Sequence, residues 1–366
     1  MTQLPRLEGE SGQVDFPRMM RRRFIWLAVL GTGLVVSALV SLLIGTLGPI
    51  GPGVPERISF REAIEAIFVG HGDWPQYYSD VFWQVRIPRV LLSAAVGAAL
   101  ACAGTAMQAV FRNPMADPYI VGVSSGASVG AVVAGLAGLG GIAVIGAFLS
   151  PALAFTTAVL TVFVVYYLGV VGGKVYVNTL LLSGIAVAAF LSALVSLLIY
   201  FSGQQYHRII YWMLGSLSVA TWTGVAVVAI AAAIGIVFVF ISSRELNALL
   251  LGEETAHNLG VDPENLKTMM LVMAAVMTAA AVAFTGVIGF VGLIIPHMLR
   301  LVVGADHRIL VPAATISGAI FLIWADTLAK TVIAPTELPV GIITAICGGP
   351  FFLYLLRRNR IAGDAQ

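Results

Sequence analysis

The sequence predicts an all-α, polytopic membrane protein of about ten transmembrane helices. Three observations carry that reading. Of 366 residues 59% are hydrophobic and only 10% charged, far below the roughly 25% charged residues of soluble domains. The apolar residues fall in blocks close to the roughly 20 residues that a helical span needs. Lysine and arginine collect in alternate connections between those blocks, as the positive-inside rule requires. The 39 glycines fit the same class, because small residues let helix backbones approach closely where lipid supplies no hydrophobic force between helices.

Taken in order, the first apolar block, 24–44, follows Arg21, Arg22 and Arg23. Its basic flank resembles a signal sequence, but the run is too long for an h-region and no small-residue cleavage site follows, so it reads as a retained first span. Further spans are expected near 88–110, 119–139, 143–168, 179–201, 220–241, 267–286, 288–303, 309–330 and 339–356, the eighth being short. Residues 1–23 and 359–366 then form tails around one permease domain, 24–358. With both termini inside, the inner side collects Arg18, Arg21, Arg22, Arg23, Arg112, Lys174, Arg244, Lys267, Arg300, Arg308, Arg357, Arg358 and Arg360. The outer side keeps Arg57, Arg61, Arg86, Arg89, Arg208 and Lys330.

Two connections are long. The outer one, 46–87, holds Gly-Pro turns and an amphipathic helix, FREAIEAIF (60–68). The inner one, 243–266, contains LGEETAHNLG (251–260), a polar stretch in an otherwise apolar chain. A faint repeat relates ALACAG (99–104) with Pro114 to AVAFTG (281–286) with Pro296 at equal spacing, carrying the second span onto the seventh. An offset of five spans would point the two copies opposite ways, as in transporters built from inverted repeats.

Several chemistries can be weighed on residue type. The cations sit at span ends and in short loops, which excludes a nucleic-acid surface. Cys102 and Cys347 lie in apolar segments, as small buried residues do. A phosphate-binding loop needs GxxxxGK[ST]; GVVGGKV (169–175) has the wrong glycine spacing and no hydroxyl after Lys174. Glu254 and His257 share a helical face, but no span supplies the further carboxylates of a metal site, so no metal and no cofactor are expected. Asp326 is the best candidate for ion coupling, with Lys330 one turn away as its partner in an ion pair or cap. The run RNPMADPYIVGVSS (112–125) reads as a tight inner turn or as a helix break beside a transport path. His297, near Pro296, reads as a packing histidine. No HExxH or similar constellation points to an intramembrane enzyme.

Together the segments RIPR (86–89), GAALACAGTAMQAVFRNPMADPYIVGVSSGA (97–127), LLLSGIA (180–186), YWMLGSLS (211–218), LGEETAHNLG, IGFVGLIIPHMLRLVVGADHR (288–308) and ELPVG (337–341) resemble the FecCD family of ABC importer permeases. The resemblance implies a permease for cobalamin, ferric siderophore or haem, the first two before the third, in the plasma (inner) membrane and surrounded by lipid. It implies a homodimer around a path walled by the fifth and tenth spans, two cytoplasmic ATPase copies below, and an extracytoplasmic binding protein above. It gives ATPase coupling to Leu251, Gly252, Glu253, Glu254, Ala256, His257, Leu259 and Gly260. Docking of the binding protein falls to Arg86, Arg89 and Lys330, the last where relatives often carry arginine. Tyr176, Val177 and Asn178 occupy the position of the inner gate, although their types differ from the family's. The alternative class is an ion-coupled secondary transporter.

Overall fold

The computed structural model describes residues 16–44, 76–138 and 145–363; the amphipathic segment 60–68 lies outside them. Its helices are α1 (Phe16–Leu43), α2 (Gln76–Asp80), which runs through a π-helical stretch (Val81–Arg86) into α3 (Ile87–Val110), α4 (Val123–Leu136) and α5 (Ile145–Gly169). A two-stranded hairpin, β1 (Val170–Val171) and β2 (Lys174–Val175), leads into α6 (Val177–Tyr200). There follow α7 (Tyr206–Met213), α8 (Trp222–Ile241), α9 (Ser243–Leu250), α10 (Glu253–Asn258), α11 (Pro263–Thr285), α12 (Val291–Val303), α13 (His307–Thr331) and α14 (Val340–Gly363).

Ten of these are apolar helices matching the ten expected spans. Seven are long enough to cross a bilayer, while 123–136, 291–303 and 340–354 are shorter. The expected third span, 119–139, is shortened for a local reason. The Asp117 side chain accepts the Tyr119 N–H and opens a 3-10 turn (Pro118–Val121), and Gly122 at φ 81° redirects the chain before α4 begins. The polar run 112–125 is therefore a structured helix break. The eighth is short because Gly286 and Phe290 both adopt positive φ, delaying α12 to Val291. The first helix, in turn, begins at Phe16, ahead of the expected span.

The core is built around α3, which is buried along most of its length and packs against α13, α8, α11 and α12. A second group, α4, α5 and α6, packs on α11 through α5. Close crossing at α3 depends on missing side chains: a Cβ on Gly97 would collide with the Gly318 carbonyl, and one on Gly104 with that of Gly292. Such small-residue contacts give dispersion energy in the absence of a hydrophobic drive. Glu253 pairs with both Arg112, just past the end of α3, and Lys267, near the start of α11, so the two helices run antiparallel, the relation that inverted copies require.

Three elements were not expected, the first being α2 with its π-helical stretch, 76–86, inside the expected outer connection 46–87. The amphipathic α7 caps the α4–α6 group through buried Ile209. The β1–β2 hairpin arises because Gly172 and Gly173 both take positive φ, 62° and 78°, the geometry of a primed two-residue turn. The glycines of GVVGGKV thus serve a hairpin.

Candidate functional site

The 243–266 segment folds into two short helices with defined ends. In α9, Leu246 and Leu249 are fully buried, and Asn247 donates to Asp306 (2.8 Å) while accepting the His307 N–H (2.9 Å). Asp306 also caps α13 by accepting the Arg308 N–H. Burial alone would raise the Asp306 carboxyl; hydrogen bonds from the Arg308 side chain, from Asn247 and from the Arg308 N–H outweigh it and hold the group down at about 2.

Gly252, at φ 112°, starts α10, with Glu253 and Glu254 in its first turn, where the helix dipole favours anions. At its end the Gly260 N–H bonds to the His257 carbonyl and the Val261 N–H to that of Ala256, with Gly260 at φ 84°. This is a Schellman stop. Asp262 then accepts the N–H groups of Glu264 and Asn265 and Pro263 occupies the first turn of α11, the usual start signals. Between these ends α10 turns Ala256 inward at 0% exposure, while Glu254 and His257 face outward and Leu251 and Leu259 stand 67% and 64% exposed. The result is a polar turn of helix flanked by two bare leucines.

A line of charges ties this surface to the body. Lys267, 1% exposed, pairs with Glu264 (2.8 Å) and Glu253 (3.0 Å). Glu253 reaches Arg112 at 3.4 Å, and Glu264 accepts the Val175 N–H at 2.6 Å. Val175 ends the hairpin directly before Tyr176, Val177 and Asn178; Tyr176 is the N-cap residue of α6 and is half exposed, and Asn178 is exposed. The coupling and gate candidates therefore meet through Lys267, expected from the sequence only as one of the inner cations, and Glu264, to which the sequence assigned no role.

At the other end of α3, about 35 Å away at 1.5 Å per residue, the docking candidates gather. Arg89 is turned inward and 8% exposed, with a two-pronged pair to Asp326 (2.8 and 2.9 Å) and a third bond to Glu337 (2.9 Å). Lys330 donates to the Ser41 carbonyl (3.0 Å) and Arg86 to that of Leu42 (2.7 Å). Two expectations need correcting. Asp326 pairs with Arg89 in place of Lys330, because the guanidinium fork matches both carboxylate oxygens. Arg89 does not offer its cation at the surface, because Asp326 and Glu337 occupy it. Between α4 and α6 lies an open pocket of about 330 Å³ lined by Ser124, Ser125, Ser128, Ser192 and Ser196 with Val195, Ile199, Met213 and Val287.

The model of the FecCD transport family matches residues 33–358. The chain belongs to that family. It is a FecCD-type ABC importer permease, a transport subunit and not an enzyme. Among its FecCD relatives, the cobalamin import system permease protein BtuC of Halobacterium salinarum is 48% identical over 287 residues, covering 78% of this chain and 76% of its own. The hemin transport system permease protein HmuU of Yersinia pestis is 41% identical, covering 78% and 87%. A solved structure described as an inward-facing conformation of a metal-chelate type ABC transporter has 31% identity and a TM-score of 0.74, covering 91% of this chain and 98% of that one.

Proposed function

We propose that the chain is one half of a homodimeric, ATP-driven importer that carries a metal chelate across the plasma (inner) membrane with both termini in the cytoplasm. Cobalamin or a ferric siderophore is the first choice of cargo and haem the next. The observation that carries this reading is the α10 surface: an exposed Leu251–Glu254–His257–Leu259 patch on a helix joined to the core by buried Ala256 and by Lys267. Two copies of a cytoplasmic ATPase would grip it, and closure of the ATPases on ATP would shift the permease between outward and inward states. The serine-lined pocket, together with the exposed side chains Leu182, Ile185 and Phe190 of α6 and Ile346 and Leu353 of α14, supports a path between two copies walled by those helices. A binding protein would dock over Arg86 and Lys330, with Arg89 holding that end from behind.

The secondary-transporter reading loses support, since its candidate Asp326 is already neutralised by Arg89. To test the coupling assignment, Glu254→Arg with Leu259→Glu alters only exposed side chains. The variant should insert normally, fail to retain the ATPase and lose import; full import would overturn the assignment. Uptake of labelled cobalamin, ferric siderophore and haem by the assembled system distinguishes the cargoes.

A further inference from the structure

We propose that Lys267 is the positioning residue through which movement of α10 reaches the Tyr176–Val177–Asn178 segment. The proposal rests on the coupling role given to α10 above. Both carboxylates around Lys267 are bridging groups. Glu264 uses one oxygen for the Lys267 ammonium (2.8 Å) and the other for the Val175 N–H (2.6 Å). Glu253 uses one oxygen for Lys267 (3.0 Å) and the other for Arg112 (3.4 Å). The line hairpin, Glu264, Lys267, Glu253, Arg112 thus crosses four parts of the chain with two cations balanced by two anions.

The links differ in stiffness, and burial decides which carries load. The Lys267 side chain is 2% exposed while Glu253 and Glu264 are 39% and 29% exposed, so its two shorter pairs are half-buried and less screened than one in which both partners face water. Arg112 and Glu253 meet at longer range with side chains 45% and 39% exposed, a pair that water screens and that contributes little. When α10 is displaced, it parts from the end of α3 at the Arg112 contact and stays with the first turn of α11 at the Lys267 contact. Glu264, on that same turn, pulls on the Val175 amide, and Tyr176 follows as the next residue. The Schellman stop and Asp262 cap keep the 260–262 turn short, so α10 and α11 have little slack between them.

The test uses the complete complex in proteoliposomes and reads cargo transported per ATP hydrolysed. Lys267→Met should leave the ATPase bound and hydrolysing while lowering that ratio about tenfold, within the usual range of a coupling free energy. Arg112→Gln should change it by less than about twofold. A native ratio in Lys267→Met, or an equal loss in Arg112→Gln, overturns the relay. Glu264→Gln keeps an acceptor for Val175 but removes the charge facing Lys267, and it gives the same reading if Lys267→Met fails to accumulate. In the chain alone, spin labels at Thr255→Cys and Lys174→Cys in a Cys347→Ser background should show one narrow distance that broadens in Lys267→Met or Glu264→Gln; an unchanged distribution counts against the relay. Failure of the native chain to bind any ATPase would instead remove the coupling reading itself.

Discussion

Truncating Arg89 would leave the Asp326 carboxylate, 2% exposed, without its cation. Breaking a buried pair from one side costs about 3–5 kcal/mol, so Arg89→Ala should lower the thermal midpoint in detergent markedly, and Arg89→Met with Asp326→Leu should recover most of it. At Asp306 the prediction concerns pH. Its folded value of about 2 lies below the ordinary 3.8, so its contribution is fully present above about pH 4 and is lost as pH falls through 2. The midpoint difference between the native chain and Asp306→Asn should shrink over that window. These pairings were not legible beforehand, because Arg89 and Asp326 lie 237 positions apart and only the antiparallel packing of α3 and α13 joins them. Lys330, the neighbour by sequence, was the natural but incorrect partner.

Local punctuation made other elements legible. The shared helical face of Glu254 and His257 was legible, whereas the Gly260 stop and the Asp262-Pro263 start, which are equally local signals, begin α11 at Pro263, ahead of the expected span 267–286. A side chain at Gly260, φ 84°, would cost about 1–3 kcal/mol, so Gly260→Val should loosen α10 and reduce ATPase retention in a pull-down while α11 stays intact. Helix crossings give a sharper contrast. Gly104→Ala drives a Cβ into Gly292 and should destabilise by about 1–3 kcal/mol, whereas Gly31→Ala, with open space around it, should stabilise α1 by about 0.5–1 kcal/mol. The hairpin is masked by the likeness of GVVGGKV to a phosphate loop, yet the two glycines between Val-Val and Lys-Val carry the turn signal themselves.

Across the whole molecule, charges assigned to opposite sides from the sequence gather at opposite ends of α3. Arg112, Lys267 and the Arg308–Asp306 pair sit with the α9–α10 surface, and Arg86, Arg89 and Lys330 sit together at the far end. Hydropathy and charge bias suffice for that division, since both act on whole segments. The Lys267 contacts are not legible in the sequence, since they join a hairpin, two helices and a turn that no periodicity links. A permease worked from one end by a motor, with cargo arriving at the other, is what this division suits. The most direct measurement is uptake of labelled chelate into proteoliposomes holding the permease, its ATPase and its binding protein. Uptake that requires ATP hydrolysis and persists when ion gradients are collapsed is the predicted result; uptake driven by an ion gradient with the ATPase omitted would contradict it.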